Sequence, residues 1–87
     1  MSQHLPPEAL DQWADALRER FGLSDEDVPI ALILTLAKDV ADGVARPAAP
    51  FSAFVAGLVA GRNGGSPDDI REATAAVSQL ASTWTSS

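Results

Sequence analysis

The side chains able to do chemistry are few, and their densest grouping is Lys38, Asp39, Asp42 and Arg46. On a helix of about 3.6 residues per turn, Lys38/Asp42 and Asp42/Arg46 are both spaced i,i+4, the separation at which opposite charges pair. In one reading the four form a solvated seam, whose pairs contribute about 0.3 to 0.5 kcal/mol each. In the other, Asp39 and Asp42 orient Arg46, whose planar five-donor fork then meets an anion or a protein partner just ahead of Pro47.

Other chemical signals are weaker. Catalysis near neutral pH usually draws on His, Cys, Tyr, or a carboxylate or Lys with a shifted pKa. The chain has one histidine, His4, in an expected N-terminal tail, and neither Cys nor Tyr. No Ser-His-Asp or Cys-His arrangement therefore fits within one ordered domain. Asp25, Glu26 and Asp27 stand side by side, without the alternating ligands, Gly and distal Glu of a calcium loop; they read as capping and dipole complement for the helix that follows. The stretch GRNGGSPDDI, Gly61 to Ile70, is a Gly-rich loop feeding a helix, an arrangement that elsewhere cradles phosphate. It has no Lys-Ser/Thr pair, and Asp68 and Asp69 put negative charge where the phosphate would sit. It reads instead as a capping box with Ser66 as N-cap, Pro67 first and Asp69 third. The expectation is no catalytic residue, no metal site and no cofactor.

Four helices must position these groups. Leu10, Trp13, Ala14, Leu17 and Phe21 recur at helical spacing on one face of a first helix from Pro7 to Phe21. Gly22 suits a left-handed stop, and Asp11, Asp15, Arg18 and Glu19 fall on the solvated side. A second helix, about Asp27 to Ala45, has Ser24 or Asp27 as its cap. Its apolar residues, Val28, Ile30, Leu32, Ile33, Leu34, Leu36, Val40 and Val44, surround most of the circumference, which predicts a central position. Gly43 reads either as its stop or as a tolerated interior residue.

The corner Arg46-Pro47-Ala48-Ala49-Pro50 breaks the chain before a third helix, Phe51 to about Arg62, that carries no charge until Arg62. One side of it gathers Phe51, Phe54, Val55 and Leu58, the other the small residues Ala53, Gly57 and Gly61. Both sides want cover, either by close packing on the second helix or by another molecule. A fourth helix keeps Ile70, Ala73, Thr74, Val77, Leu80, Ala81 and Trp84 in one seam. The predicted fold is all-α, a compact bundle of four helices with the second central. The domain runs from 7 to 84, between a tail at 1–6 and a frayed end at 85–87.

At 87 residues the chain is one domain with a thin margin of stability. Apolar residues make up 46%, too many for a disordered chain, and the net charge of -6 disfavours nucleic acid and anionic membranes as partners. The longest uncharged run, Pro47 to Gly61, is shorter than the roughly 20 apolar residues of a membrane span. With no visible secretory signal and no cysteine, a cytoplasmic location is expected.

The residues DVADGVARPAAPFSAFVAGLVAG, Asp39 to Gly61, with the Trp13 to Leu17 seam before them and GGSPDDI after, resemble a small bacterial domain of unknown function. That domain occurs alone or joined to the C-terminal end of a molybdenum cofactor guanylyltransferase-like nucleotidyltransferase. The likeness covers roughly Leu10 to Leu80 and is most specific at Gly43 to Pro50. It implies an accessory role near molybdopterin guanine dinucleotide synthesis, in which a guanylyl group from GTP is joined to molybdopterin. The chain lacks the nucleotidyltransferase's own Gly-rich, Lys-containing GTP loop and α/β pattern, and the family has no assigned catalytic residues to carry over.

The expected function is therefore a non-catalytic interaction module whose partner is a molybdenum cofactor guanylyltransferase. The third helix supplies the apolar contact through Ala53, Gly57 and Gly61, and Lys38, Asp39, Asp42 and Arg46 the polar rim. Two alternatives stand beside it: a homodimer formed through the third helix, and a carrier of an anionic pterin or nucleotide held by Arg46 and the Gly61 to Ser66 loop.

Overall fold

The computed structural model describes residues 7–84, among which there are four α-helices and no strand. The expected tail with His4 and the expected frayed end, 85–87, lie outside the described residues. Helix α1 spans Pro7–Phe21, α2 Ile30–Gly43, α3 Ala48–Arg62 and α4 Pro67–Thr83, with a single 3-10 turn, Asp25–Asp27, between the first two.

Helix α1 ends as its sequence predicts. Gly22 takes a φ of 67°, a conformation that a Cβ would strain, and the Leu23 N–H donates to the Arg18 carbonyl at 2.9 Å. Helix α2 begins three residues later than expected. Asp27 does not cap it; its carboxylate instead accepts from the Ser24 N–H at 3.0 Å and closes the 3-10 turn. Pro29 then supplies the first acceptor of α2, its carbonyl bonded to the Ile33 N–H at 3.1 Å.

The corner after α2 is tighter than the sequence suggests. The Ala48 and Ala49 N–H groups donate to the Ala45 and Arg46 carbonyls, both at 3.0 Å, and Pro47 is already helical at φ -64°, ψ -18°. Helix α3 therefore starts at Ala48 rather than Phe51. Pro50 sits in the first turn, where a missing N–H leaves no intrahelical bond unmade. Before α4 the capping box forms as predicted: the Asp69 N–H donates to Ser66 Oγ at 3.1 Å and the Ser66 N–H donates to the Asp69 carboxylate at 3.0 Å. Replacing Ser66 by Ala is expected to cost about 1 kcal/mol, read as a lower denaturation midpoint at unchanged helicity.

Helices α2, α3 and α4 pack pairwise on one another. Helix α2 is central: it contributes Leu36 and Val40, the largest fully buried side chains, and these meet Ala56 of α3 and Ala81 of α4. The remaining buried apolar residues among those described are alanines too, Ala14, Ala60 and Ala73. Small contact residues let helix axes approach closely. Gly43, the last residue of α2, carries this furthest, since a Cβ there would lie inside the contact radius of the Ala81 backbone carbonyl. The glycine serves a close approach between α2 and α4.

Few side chains among the described residues are covered from every direction. Of the stripe predicted to bury α1, Ala14 alone is buried, while Trp13 is 60% exposed and Phe21 65%. Arg18, expected in solvent, is what ties α1 to the rest: its side chain is only 15% exposed and donates to the Val28 carbonyl at 2.9 Å. It also pairs with Asp15 at 3.0 Å and lies 3.5 Å from the Asp25 carboxylate.

Candidate functional site

The polar seam divides at the end of α2. Lys38 Nζ reaches the Asp42 carboxylate at 2.9 Å, one turn along the helix, with the two side chains 77% and 67% exposed. Asp42 does not reach Arg46, because α2 stops at Gly43 and Arg46 belongs to the turn that follows. Arg46 is exposed and makes no ion pair among the described residues. Asp39 is half-buried beside the pair.

The hydrogen bond and charge of Asp42, with a smaller contribution from Asp39, raise the Lys38 pKa above its ordinary 10.5. A raised folded-state pKa favours the fold while Lys38 is protonated, so this contribution is present throughout neutral pH and is lost as pH climbs through the folded value, above 10.5. Lys38→Met is accordingly expected to leave the denaturation midpoint nearly unchanged at pH 7, because the pair is solvated. The variant should also flatten whatever decline wild type shows above pH 10, which a urea titration at several pH values measures.

Four of the carboxylates elsewhere are engaged within the chain. Asp25 lies against Arg18, Asp27 accepts from Ser24, Asp68 pairs with Arg71, and Asp69 closes its box with Ser66. No three His, Cys, Asp or Glu side chains converge among the described residues. The Gly61 to Ser66 loop does not favour an anion: the Ser66 and Asp69 N–H groups donate within the capping box, and the Asp69 carboxylate stands at the helix end. Thr74, buried among apolar neighbours, spends its hydroxyl on the Ile70 and Arg71 carbonyls.

The apolar surface is more distinctive. Helix α3 turns Ala56 and Ala60 to the core and leaves Phe51 71% and Phe54 73% exposed, with Leu58 and Val59 also outward. Beside Phe51, residues Val44, Leu80 and Trp84 line a shallow depression of about 310 Å³. Leu80 and Trp84 therefore do not join the α4 seam predicted for them; they rim the outer face. The small-residue side of α3 behaves differently from its expected close packing on α2. Ala53 touches the core, but Gly57 and Gly61 are exposed, and a Cβ at either would meet nothing within 4 Å. They floor an open groove of about 410 Å³ whose walls include Leu23, Pro29, Ile33 and Ile70.

The structure thus brings Lys38 and Asp42 together, separates Arg46 from them, and gives Ala53, Gly57 and Gly61 to a groove on the flank of α3 opposite the Phe51 depression. What the sequence reading missed is the outward seating of Phe51 and Phe54. The signal was Ala56 and Ala60 at i,i+4, a second small stripe beside the one formed by Ala53, Gly57 and Gly61. No helix among the described residues is long and apolar enough to cross a membrane. No curated protein matches the chain, and no solved structure does. Over residues 5–87, essentially the whole of this helical domain, the sequence matches the domain of unknown function DUF6457, and the chain belongs to that family.

Proposed function

We propose that the chain is a non-catalytic interaction module that docks on a protein partner through the outer face of α3. The observation that carries the reading is the seating of that helix: alanines turned inward, with Phe51 and Phe54 in solvent. Exposed aromatic side chains are the usual anchors of protein interfaces, and an uncharged helix brings no charge that docking must strip of water. Lys38, Asp42 and Arg46 supply the polar rim at the α2–α3 corner, with Arg46 free to meet a carboxylate of the partner.

For the partner, the resemblance at Asp39 to Gly61 points to a molybdenum cofactor guanylyltransferase, and the role is then accessory to molybdopterin guanine dinucleotide synthesis in the cytoplasm. Size-exclusion chromatography with light scattering, on the two proteins mixed at micromolar concentration, should give one peak at their summed mass. Separate peaks across the accessible concentrations would overturn the choice of partner.

A further inference from the structure

We infer that α1 is a strap: it detaches as one unit at Gly22 while the other three helices stay folded, and the Arg18 side chain is the clasp that holds it shut. The core does not depend on α1. Helices α2, α3 and α4 pack pairwise and share the cluster of Leu36, Val40, Ala56 and Ala81, whereas α1 packs extensively on none of them. Of α1, Ala14 alone is buried among the described residues; Ala9, Leu17 and Arg18 are half-buried, and Leu10, Trp13 and Phe21 are exposed. Elements with so little buried apolar surface open at a lower free energy than the whole domain unfolds. A helix of 15 residues is marginal on its own, so α1 unwinds once it is released.

The clasp grips the turn before α2. Arg18 donates to the Val28 carbonyl at 2.9 Å and lies 3.5 Å from the Asp25 carboxylate, and the turn Asp25–Asp27 is itself seated on α4. Asp15 rides on α1 with Arg18 and leaves with it, so that pair fastens nothing. Asp25 is 93% exposed, which screens its attraction and makes the Val28 bond the main hold. Arg18 Nε is enclosed and makes no hydrogen bond among the described residues; opening returns it to water, which offsets part of what the broken bond costs. Ala14 adds a single methyl group to the hold. At the hinge, Gly22 is the left-handed residue that closes α1, and residues 21–27 are exposed throughout. None of the residues lining the depression beside Phe51 belongs to α1 or to this turn, so α1 opens without disturbing the surface proposed for docking.

The test is amide hydrogen exchange of the full chain, followed by mass spectrometry of its peptides. In wild type the hydrogen-bonded amides of α1 are expected to be protected at least about 100-fold less than the slowest amides of α2, because they exchange through the smaller opening. Low urea should speed exchange in α2 and hardly change it in α1, since detaching α1 exposes little surface. Arg18→Met keeps an apolar stem and loses the guanidinium. It should speed exchange along the whole of α1 by about 10- to 100-fold, the effect of losing a hydrogen bond from a charged group. Val40→Ala weakens the core in the closed and open forms alike, so exchange should quicken in α2 to α4 and stay the same in α1. Two outcomes would each overturn the inference. One is α1 protected as strongly as α2 and accelerated with it by urea, which means that α1 unfolds only with the whole domain. The other is exchange in α1 that Arg18→Met leaves unchanged, which means that α1 frays from its end and Arg18 is no clasp. The urea series needs no variant and decides the first point even where Val40→Ala does not fold.

Discussion

Leu36→Ala is expected to cost the domain about 2 to 5 kcal/mol, the range for truncating a fully buried leucine. Proteins of this size hold about 4 to 13 kcal/mol in total, so the variant should stand at the edge of unfolding. The reason is specific to this core. Leu36 and Val40 are the largest fully buried side chains, and around them the helices meet through alanine. Alanines add little transfer energy when buried, at about 0.8 kcal/mol per buried carbon, and they have no larger side chain that can move to fill a hole. Urea denaturation followed by circular dichroism measures the cost. Phe54→Ala is the control: at 73% exposure it should lower stability far less in the isolated chain. A loss at Phe54 as large as that at Leu36 would mean that α3 is seated with its aromatic side inward.

Gly43→Ala is the second large effect, and its sign is what decides. Were Gly43 a tolerated residue at a helix end, alanine would stabilise the domain by roughly 0.5 to 1 kcal/mol through helix propensity alone. Its φ is not positive, so backbone strain does not oppose the change. The obstacle is the Ala81 carbonyl, which stands where the new methyl group would go. A backbone atom cannot swing aside as the end of a side chain can, so α4 must back away from α2 and open the contact between Ala81 and the core. The expected result is a loss of about 1 to 3 kcal/mol, the usual cost of overpacking. For a domain of this length that amounts to a melting temperature lower by about 4 to 8 °C per kcal/mol. A Gly43→Ala variant that melts higher than wild type would contradict this packing.

Much of the fold is legible in the sequence wherever a local rule settles it. The first helix closes at Gly22 because only a residue without Cβ takes that conformation cheaply, and α4 opens at Ser66 because Ser, Pro and Asp occupy the positions that satisfy the helix end. The start of α2 is less legible. Ser24 and Asp27 both suit a cap, and the choice falls to a 3-10 turn that uses Ser24 as cap and the Asp27 side chain to reach back to it.

Arg18 is illegible for another reason: its acceptor, the Val28 carbonyl, is ten residues away and is placed by the turn between α1 and α2. The seating of α3 is the plainest case. An uncharged helix has no polar side to announce which way is out, so tertiary packing decides, and it selects the alanines that allow the closest approach. In the candidate site, Lys38 and Asp42 pair as their spacing predicts. Arg46 does not, since the helix that would have carried it one turn past Asp42 ends at Gly43.

The central claim is that the outward aromatic face of α3 is a binding surface. Its most direct test is the dissociation constant for molybdenum cofactor guanylyltransferase, measured by titration calorimetry with wild type and with Phe51→Glu. The substitution should leave circular dichroism unchanged and weaken binding by about 30-fold or more, the effect of losing a central aromatic anchor. Equal affinities for the two chains would contradict the claim and move the interface off this face of α3.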